Sequence, residues 1–359
     1  MRNAPAVAGF ISKEYGMKKS MAVFSAVLVF LLAAPGAAFA QRGGAAGGNV
    51  EIRVASPLPQ NSDWGRTLDR IAAEWARVTN NTVRARVIHN GLEGSESRML
   101  SSLATNNIQA ALFTSTGLAE IVPEVMNLSV PFKIRDDAEL SLVLREILPV
   151  LEEKVNGTNF VVLTWSQAGW VNIFSREQVL EPNDLRRMRI ATSPESANMN
   201  MVFRGMGFQL VEAAEISDIG PMLANGTINS IYQTPAAIAP LGLHRSLGHM
   251  LDMPIAPFMG AIVLNRVPWD RLGPERQQAM MAVTRRLAAE FDATMPRTVA
   301  NAVTTMQRGG LRVNTPTPQQ RTMWHTDLER ALPPLLGNTF DRDMYNRISA
   351  ILERSRNGR

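Results

Sequence analysis

The chain has 359 residues, 45% of them hydrophobic, with no cysteine and a formal charge of +5. Without a thiol it can form neither disulfides nor thiolate metal sites, and it has no cysteine to carry a lipid anchor. Arg2, Lys13, Lys18 and Lys19 against Glu14 put most of the positive surplus in the first 40 residues; the 33 basic and 31 acidic residues beyond lack the concentrated basic face that nucleic-acid binding needs.

In chain order, the basic pair Lys18-Lys19, the apolar run Met21 to Ala34, the break at Pro35-Gly36 and the small residues around Ala38-Phe39-Ala40 read as a secretion signal over residues 1–40. Cleavage is expected before Gln41, which places the mature protein in the periplasm. Met17 directly precedes the basic pair, so residues 1–16 are either an upstream misassigned start, which is the preferred reading, or a long basic leader. The apolar run is shorter than the ~20 residues a spanning helix needs, and no other stretch is long enough. Residues 41–49 form a Gly-rich linker.

Beyond the linker the pattern becomes regular. Val50 to Ala55 alternates as a strand, Asp63 to Thr79 has helical apolar spacing, Thr82 to Ile88 alternates again, Glu93 to Ala104 is helical and Ile108 to Phe113 is apolar. This βαβαβ order predicts a mainly parallel sheet with helices on both faces. Phe160 to Trp165, Trp170 to Ser175 and Met188 to Thr192 read as further strands. Pro194 to Met206 reads as a helix that Ser193 can cap. Asp218 to Ala224 follows as a helix, with strands at Thr227 to Ile231 and Gly260 to Leu264. Trp269 to Gln307 reads as an almost unbroken helix, stopped by Gly309-Gly310 and expected to kink at Pro296. Thr317 to Arg354 looks helical.

Signals of catalysis are weak. His89, His244, His249 and His325 lack the close spacing of zinc ligands, and no nucleophile elbow, phosphate loop or dinucleotide fingerprint is present. Asp136-Asp137 and Glu152-Glu153 are adjacent pairs that diverge on a helix and read as solvated faces. The expectation is a protein that is not an enzyme and uses no cofactor or metal.

Pro182-Asn-Asp-Leu-Arg-Arg-Met-Arg-Ile-Ala-Thr-Ser-Pro194 resembles a signature block of the DctP-type solute-binding proteins of TRAP transporters. Gly94 to Leu100, Val130-Pro-Phe132, Leu223 to Ser230 and Val267 to Gln277 resemble further family blocks in the same order, so the likeness runs from about Val50 to the tail. The resemblance implies an α/β, two-lobed periplasmic binding protein-like fold with a ligand cleft between the lobes and a long bracing helix. Residues 50–165 would form mainly lobe 1 and 166–265 mainly lobe 2. Residues 266–359 would supply the long helix and the C-terminal helices that close both lobes. The implied partners are a small organic solute and the membrane permease subunits, with the chain itself a monomer.

By the same resemblance, the arginine that clamps a substrate carboxylate aligns with Ala191, and a second arginine of some members aligns with Val171. An acidic position aligns near Thr114, after Phe113, and an asparagine position falls at Gln233. The cleft expected from these alignments exposes Trp170, Val171, Ala191 and Tyr232, with Thr114, Asn172, Thr192 and Gln233 as hydrogen-bonding handles, and the ligand expected is neutral or largely apolar. Two routes to a carboxylate stay open: Arg189, which shares a strand face with Ala191, and the helix N-terminus at Ser193. Trp165 reads as core and Trp170 as cleft. A sensory or scaffold binding protein and a periplasmic enzyme of similar fold are the competing functions.

Overall fold

The computed structural model describes residues 49–213 and 218–358; the signal segment, the cleavage point before Gln41 and the linker up to residue 48 lie outside them. Strand β1 (Val50–Ala55) buries Ile52 and Val54 on one face. Helix α1 (Asp63–Val78), capped by the Ser62 hydroxyl, covers that face with Trp64, Leu68, Ile71 and Trp75. Strand β2 (Val83–Ile88), helix α2 (Glu96–Ala104) and strand β3 (Ala110–Thr114) complete the unit, with β1 parallel to both β2 and β3. The alternation carries through to packing: Leu112 joins the α1 side of the sheet and Phe113 the opposite side.

Helix α3 (Ser115–Ala119) and a 3-10 stretch at Pro123–Ser129 lead to α4 (Asp137–Asn156), which buries Leu140, Val143, Ile147 and Leu151. The two strands expected around residues 160–175 are one, β4 (Phe160–Ser175). The segment at Gly169 does not end it, because its antiparallel partner follows it through a register shift between Gln167 and Trp170.

Then come α5 (Pro182–Arg186), β5 (Arg189–Thr192), α6 (Ala197–Gly205), β6 (Gln209–Glu212) and α7 (Ile219–Ala224). They are followed by β7 (Ser230–Gln233), α8 (Pro235–Leu241), α9 (His244–Leu247), β8 (His249–Leu251) and β9 (Ala256–Asn265). The single long helix expected from Trp269 is divided: Gly273, at φ +78°, separates α10 (Arg266–Leu272) from α11 (Pro274–Arg308). Hydrogen-bonded helix continues through Pro296. After β10 (Arg312–Asn314), the tail is not one helix but α12 (Pro318–Ala331) and α13 (Arg342–Asn357), with a 3-10 turn at Pro333–Leu335 between them.

The strand order is β2-β1-β3-β9-β4-β7-β5-β6, with β8 also on β4 and β10 on β8. Strand β4 is the link between two sheet regions. It pairs with β9 from Phe160 to Val171, then with β7 from Asn172 to Ser175. Helix α11, 35 residues and therefore about 50 Å long at ~1.5 Å per residue, packs on α1, β4 and α8. The indole of Trp75 donates to Thr284 Oγ1 at 2.8 Å, and Trp64 meets Phe291 at 4.4 Å between ring centroids. The long helix thereby touches elements of both sheet regions.

Candidate functional site

The changeover in β4 sets the geometry of the site. Gly169 sits at φ +89°, and a Cβ there would stand 3.1 Å from Val299 of α11, so both the turn of the backbone and the approach of the helix favour glycine. Just before it, Asp292 of α11 accepts hydrogen bonds from the Ser166 hydroxyl and, at 3.1 Å, from Gln167 N. Burial pushes the Asp292 carboxyl up, against the opposing effect of these two donors. Just after it, the Trp170 indole donates to Asp137 Oδ1 at 2.7 Å and Val171 O accepts from Ile255 N at 2.8 Å.

Asn172 is buried and donates from Nδ2 to Leu251 O at 3.1 Å; in register it faces Gln233 of β7. Gln233 accepts from Thr234 N at 2.8 Å. At the C-terminal end of β5 the buried Thr192 hydroxyl bonds Asn200 of α6, whose amide donates to Ser193 O at 3.1 Å. The Tyr232 phenol is hydrogen-bonded to Thr192 and Ser196, and burial raises its pKa above the ordinary tyrosine range. Its ring stands edge-on to Phe203, 4.8 Å between centroids. The structure thus brings Asn172, Thr192, Ser193, Tyr232 and Gln233 onto adjoining strand ends.

On the other sheet region, Thr114 pairs with Gly260 of β9, which pairs in turn with Ser166 of β4. Two strand spacings of ~4.8 Å put Thr114 about 10 Å from Ser166, ahead of the changeover. Phe113 is fully buried. The Thr114 hydroxyl caps α3 by accepting from Thr116 N. Sequence reasoning missed Glu96, a buried carboxylate of α2 that receives Thr114 N at 3.1 Å and Gly117 N at 2.8 Å and so fixes this corner. Its position beside the capping Ser95 is the only local signal, and the α2–α3 contact that gives it a role is tertiary.

Ala191 and Arg189 lie apart from these groups. Ala191 is buried in a cluster with Phe174, Leu223, Ile228 and Ile231. Arg189 opens β5 at its other end, where its guanidinium donates to Thr227 O at 2.9 Å and Gly226 O at 2.6 Å. Trp165 is buried and its indole N–H has no hydrogen-bond partner among the described residues. His89 is also buried, with Nε2 2.8 Å from Asp69 Oδ1. Among the described residues no group of three or more His, Cys, Asp or Glu side chains could hold a metal ion. The arrangement is a set of hydroxyls, amides and aromatic rings along one strand changeover.

Residues 54–335 match the model of the bacterial extracellular solute-binding protein family 7, DctP. A solute-binding protein of Verminephrobacter eiseniae is 23% identical over 272 residues, 75% of this chain and 80% of that protein. The 2,3-diketo-L-gulonate-binding periplasmic protein of Escherichia coli is 23% identical over 285 residues, 74% and 78% of the two chains. Among solved structures, a TRAP periplasmic solute-binding protein of Ralstonia eutropha with bound (S)-2-acetolactate superposes with a TM-score of 0.78 at 16% identity, covering 85% of this chain and 99% of that one. One from Sulfurospirillum deleyianum with bound succinate gives 0.71 at 21%, covering 85% and 99%. The two-lobed α/β architecture of these proteins is the fold of this chain.

Proposed function

The chain belongs to bacterial extracellular solute-binding protein family 7, and from that premise we propose which solute it takes and how. It is an extracytoplasmic solute-binding receptor of the TRAP type, and no helix among its described residues is long and apolar enough to cross a membrane. Its ligand is a small organic molecule, neutral or largely apolar, held where β4 passes from one sheet region to the other. Residues 50–165 and 166–265 act as the two lobes, braced by residues 266–359. They close on the solute by a hinge movement, and the loaded monomer hands it to the membrane permease without altering it.

One observation carries the ligand class. The two slots that the resemblance aligns with family arginines hold Val171 and Ala191, the latter packed into an apolar cluster, and Arg189 at the far end of β5 has its guanidinium on the carbonyls of Gly226 and Thr227. A carboxylate enclosed without a cationic partner costs several kcal/mol. An apolar solute gains roughly 25 cal/mol for each Å² buried, and Trp170, Tyr232 and Val171 offer it such surface. Asn172, Thr192, Ser193 and Gln233 supply the polar handles, with Thr114 on the facing lobe and the fully buried Phe113 packed behind it.

A second reading has its own support: the solved relatives named above hold small acids. On that reading a carboxylate is received by hydroxyl, amide and backbone N–H donors around Thr192 and Ser193, or by Arg189 after release from its turn. Native mass spectrometry of the purified protein, followed by extraction of whatever it carries, separates the two. A neutral solute supports the first reading, and a tightly bound dicarboxylate refutes it.

A further inference from the structure

A cavity of about 360 Å³ is lined by none of the residues assigned above to the solute site, although Ile255 links its Phe132 wall to Val171 of β4. Three segments meet there: Phe132 to Arg135 ahead of α4, Met253-Pro254 ahead of β9, and the face of α12 that presents Pro318, Arg321, Thr322 and His325. The α12 residues recur at helical spacing, so one helix face supplies an entire wall. The volume falls at the lower end of the range of small-molecule pockets.

The walls combine apolar surface with positive charge. Phe132, Ile134, Met253 and Pro254 form the apolar part. Arg135 has no side-chain hydrogen bond or ion pair among the described residues, and Arg321 donates only to the backbone O of Asp252, at 3.0 Å. By contrast Arg356, next to this region on α13, is neutralised by Glu139 at 2.7 Å. Two guanidiniums that make no salt bridge among the described residues, the Glu139 carboxylate near Arg135 being already held by Arg356, match an anion that has an apolar body.

The backbone adds an independent observation. Phe132 sits at φ +58°, a left-handed conformation that is unfavourable for a bulky L-residue. It is held there by its N–H on Ile255 O at 2.6 Å and by ring contacts with Trp324 at 5.6 Å and His325 at 5.9 Å. The strain keeps this ring against the His325 wall of the cavity.

We propose that this cavity is a second ligand site, which takes a small organic carboxylate with an apolar body. The carboxylate lies between the Arg135 and Arg321 guanidiniums, and the body rests on Phe132, Ile134 and Met253. His325 gives the site a pH dependence. Burial holds the imidazole below its ordinary pKa, Arg135, Arg321 and Arg356 push in the same direction, and Glu329 opposes them. A bound carboxylate favours the imidazolium, so binding takes up a proton and tightens as the pH falls toward the lowered pKa of His325.

The test is calorimetric titration of the full chain with 4-bromobenzoate and with neutral 4-bromobenzamide. The benzoate is expected to bind with a Kd on the order of 0.1 to 1 mM, more tightly at pH 6 than at pH 8, and the benzamide at least about tenfold more weakly. Arg135→Gln should weaken the benzoate about tenfold, and Thr322→Glu, which sets a like charge at the wall, should abolish binding. Thr322 lies on α12, which supplies no residue to the solute site, so with Thr322→Glu the affinity for the receptor's own solute stays as it was and the site stands or falls separately from the transport reading; Arg135→Gln, two residues before the Asp137 that holds the Trp170 indole, is read only against the benzoate. Anomalous scattering should place the bromine beside Phe132. Equal binding of acid and amide, indifference to both substitutions, or bromine located against Tyr232 would each overturn the proposal.

Discussion

Replacing Asp292 by alanine should loosen the strand changeover from the long helix. The carboxylate receives the Ser166 hydroxyl and the Gln167 amide, and the alanine side chain can receive neither. Ser166 is 2% exposed, so its hydroxyl would be left buried without this acceptor. Stranding such a group costs about 1 to 3 kcal/mol, equivalent to a fall in Tm of a few degrees at this chain length. Asp292→Asn keeps an acceptor for Gln167 and a partner for Ser166, and should recover most of that loss. The pH dependence supplies a second readout. Because burial raises the folded pKa of Asp292 above its unfolded value, the folded state binds more protons over the interval between the two. Stability from this group is therefore greatest in acid and declines as the pH rises through the folded pKa. The asparagine variant should lack that part of the slope when Tm is followed from about pH 4 to pH 7. An alanine variant as stable as the parent, together with unchanged slopes in both variants, would refute the assignment.

Gly117→Ala should destabilise by about 1 to 3 kcal/mol, since its Cβ would stand 2.1 Å from the Glu96 carboxylate and 2.6 Å from the Phe113 ring; chemical denaturation measures this. Tyr232→Phe keeps the ring contact with Phe203 and loses the bonds to Thr192 and Ser196. It should cost about 1 kcal/mol of stability and weaken the solute recovered from the protein about tenfold by calorimetry, and an unaltered affinity would remove Tyr232 from the site. Trp170→Phe breaks the bond to Asp137 and should abolish most of the tryptophan fluorescence change on solute addition, whereas a change that persists in full would assign the signal to another indole.

Much of the first sheet region was legible because apolar periodicity is regular there, while the Ser95 cap, which starts α2 at Glu96 and not at the expected Glu93, went unread. The long reach of β4 was hidden by Gly169, which locally looks like a strand end and continues only because β9 accompanies it. Strands β6, β8 and β10 span three or four residues, too few for alternation to register. Arg189 and Ala191 share strand parity, as the period of two requires. That parity does not foretell that Arg189 turns its guanidinium to the carbonyls at Gly226 and Thr227, because the turn that attracts it lies nearly forty residues onward. Glu96 and Asp292 were illegible for the same reason: each acts on backbone donors brought to it by folding.

The proline within α11 has a mechanical consequence. Residue 296 has no N–H, so the hydrogen bond that would run from it to the carbonyl of Asp292 cannot form. Asp292 is also the residue whose side chain fastens β4 beside Gly169. A turn of the roughly 50 Å rod that lacks one backbone hydrogen bond is therefore fastened beside the positive-φ glycine of the strand it braces. The helix carries α1 on one side of that turn and α8 on the other, so any bend there would be transmitted to both.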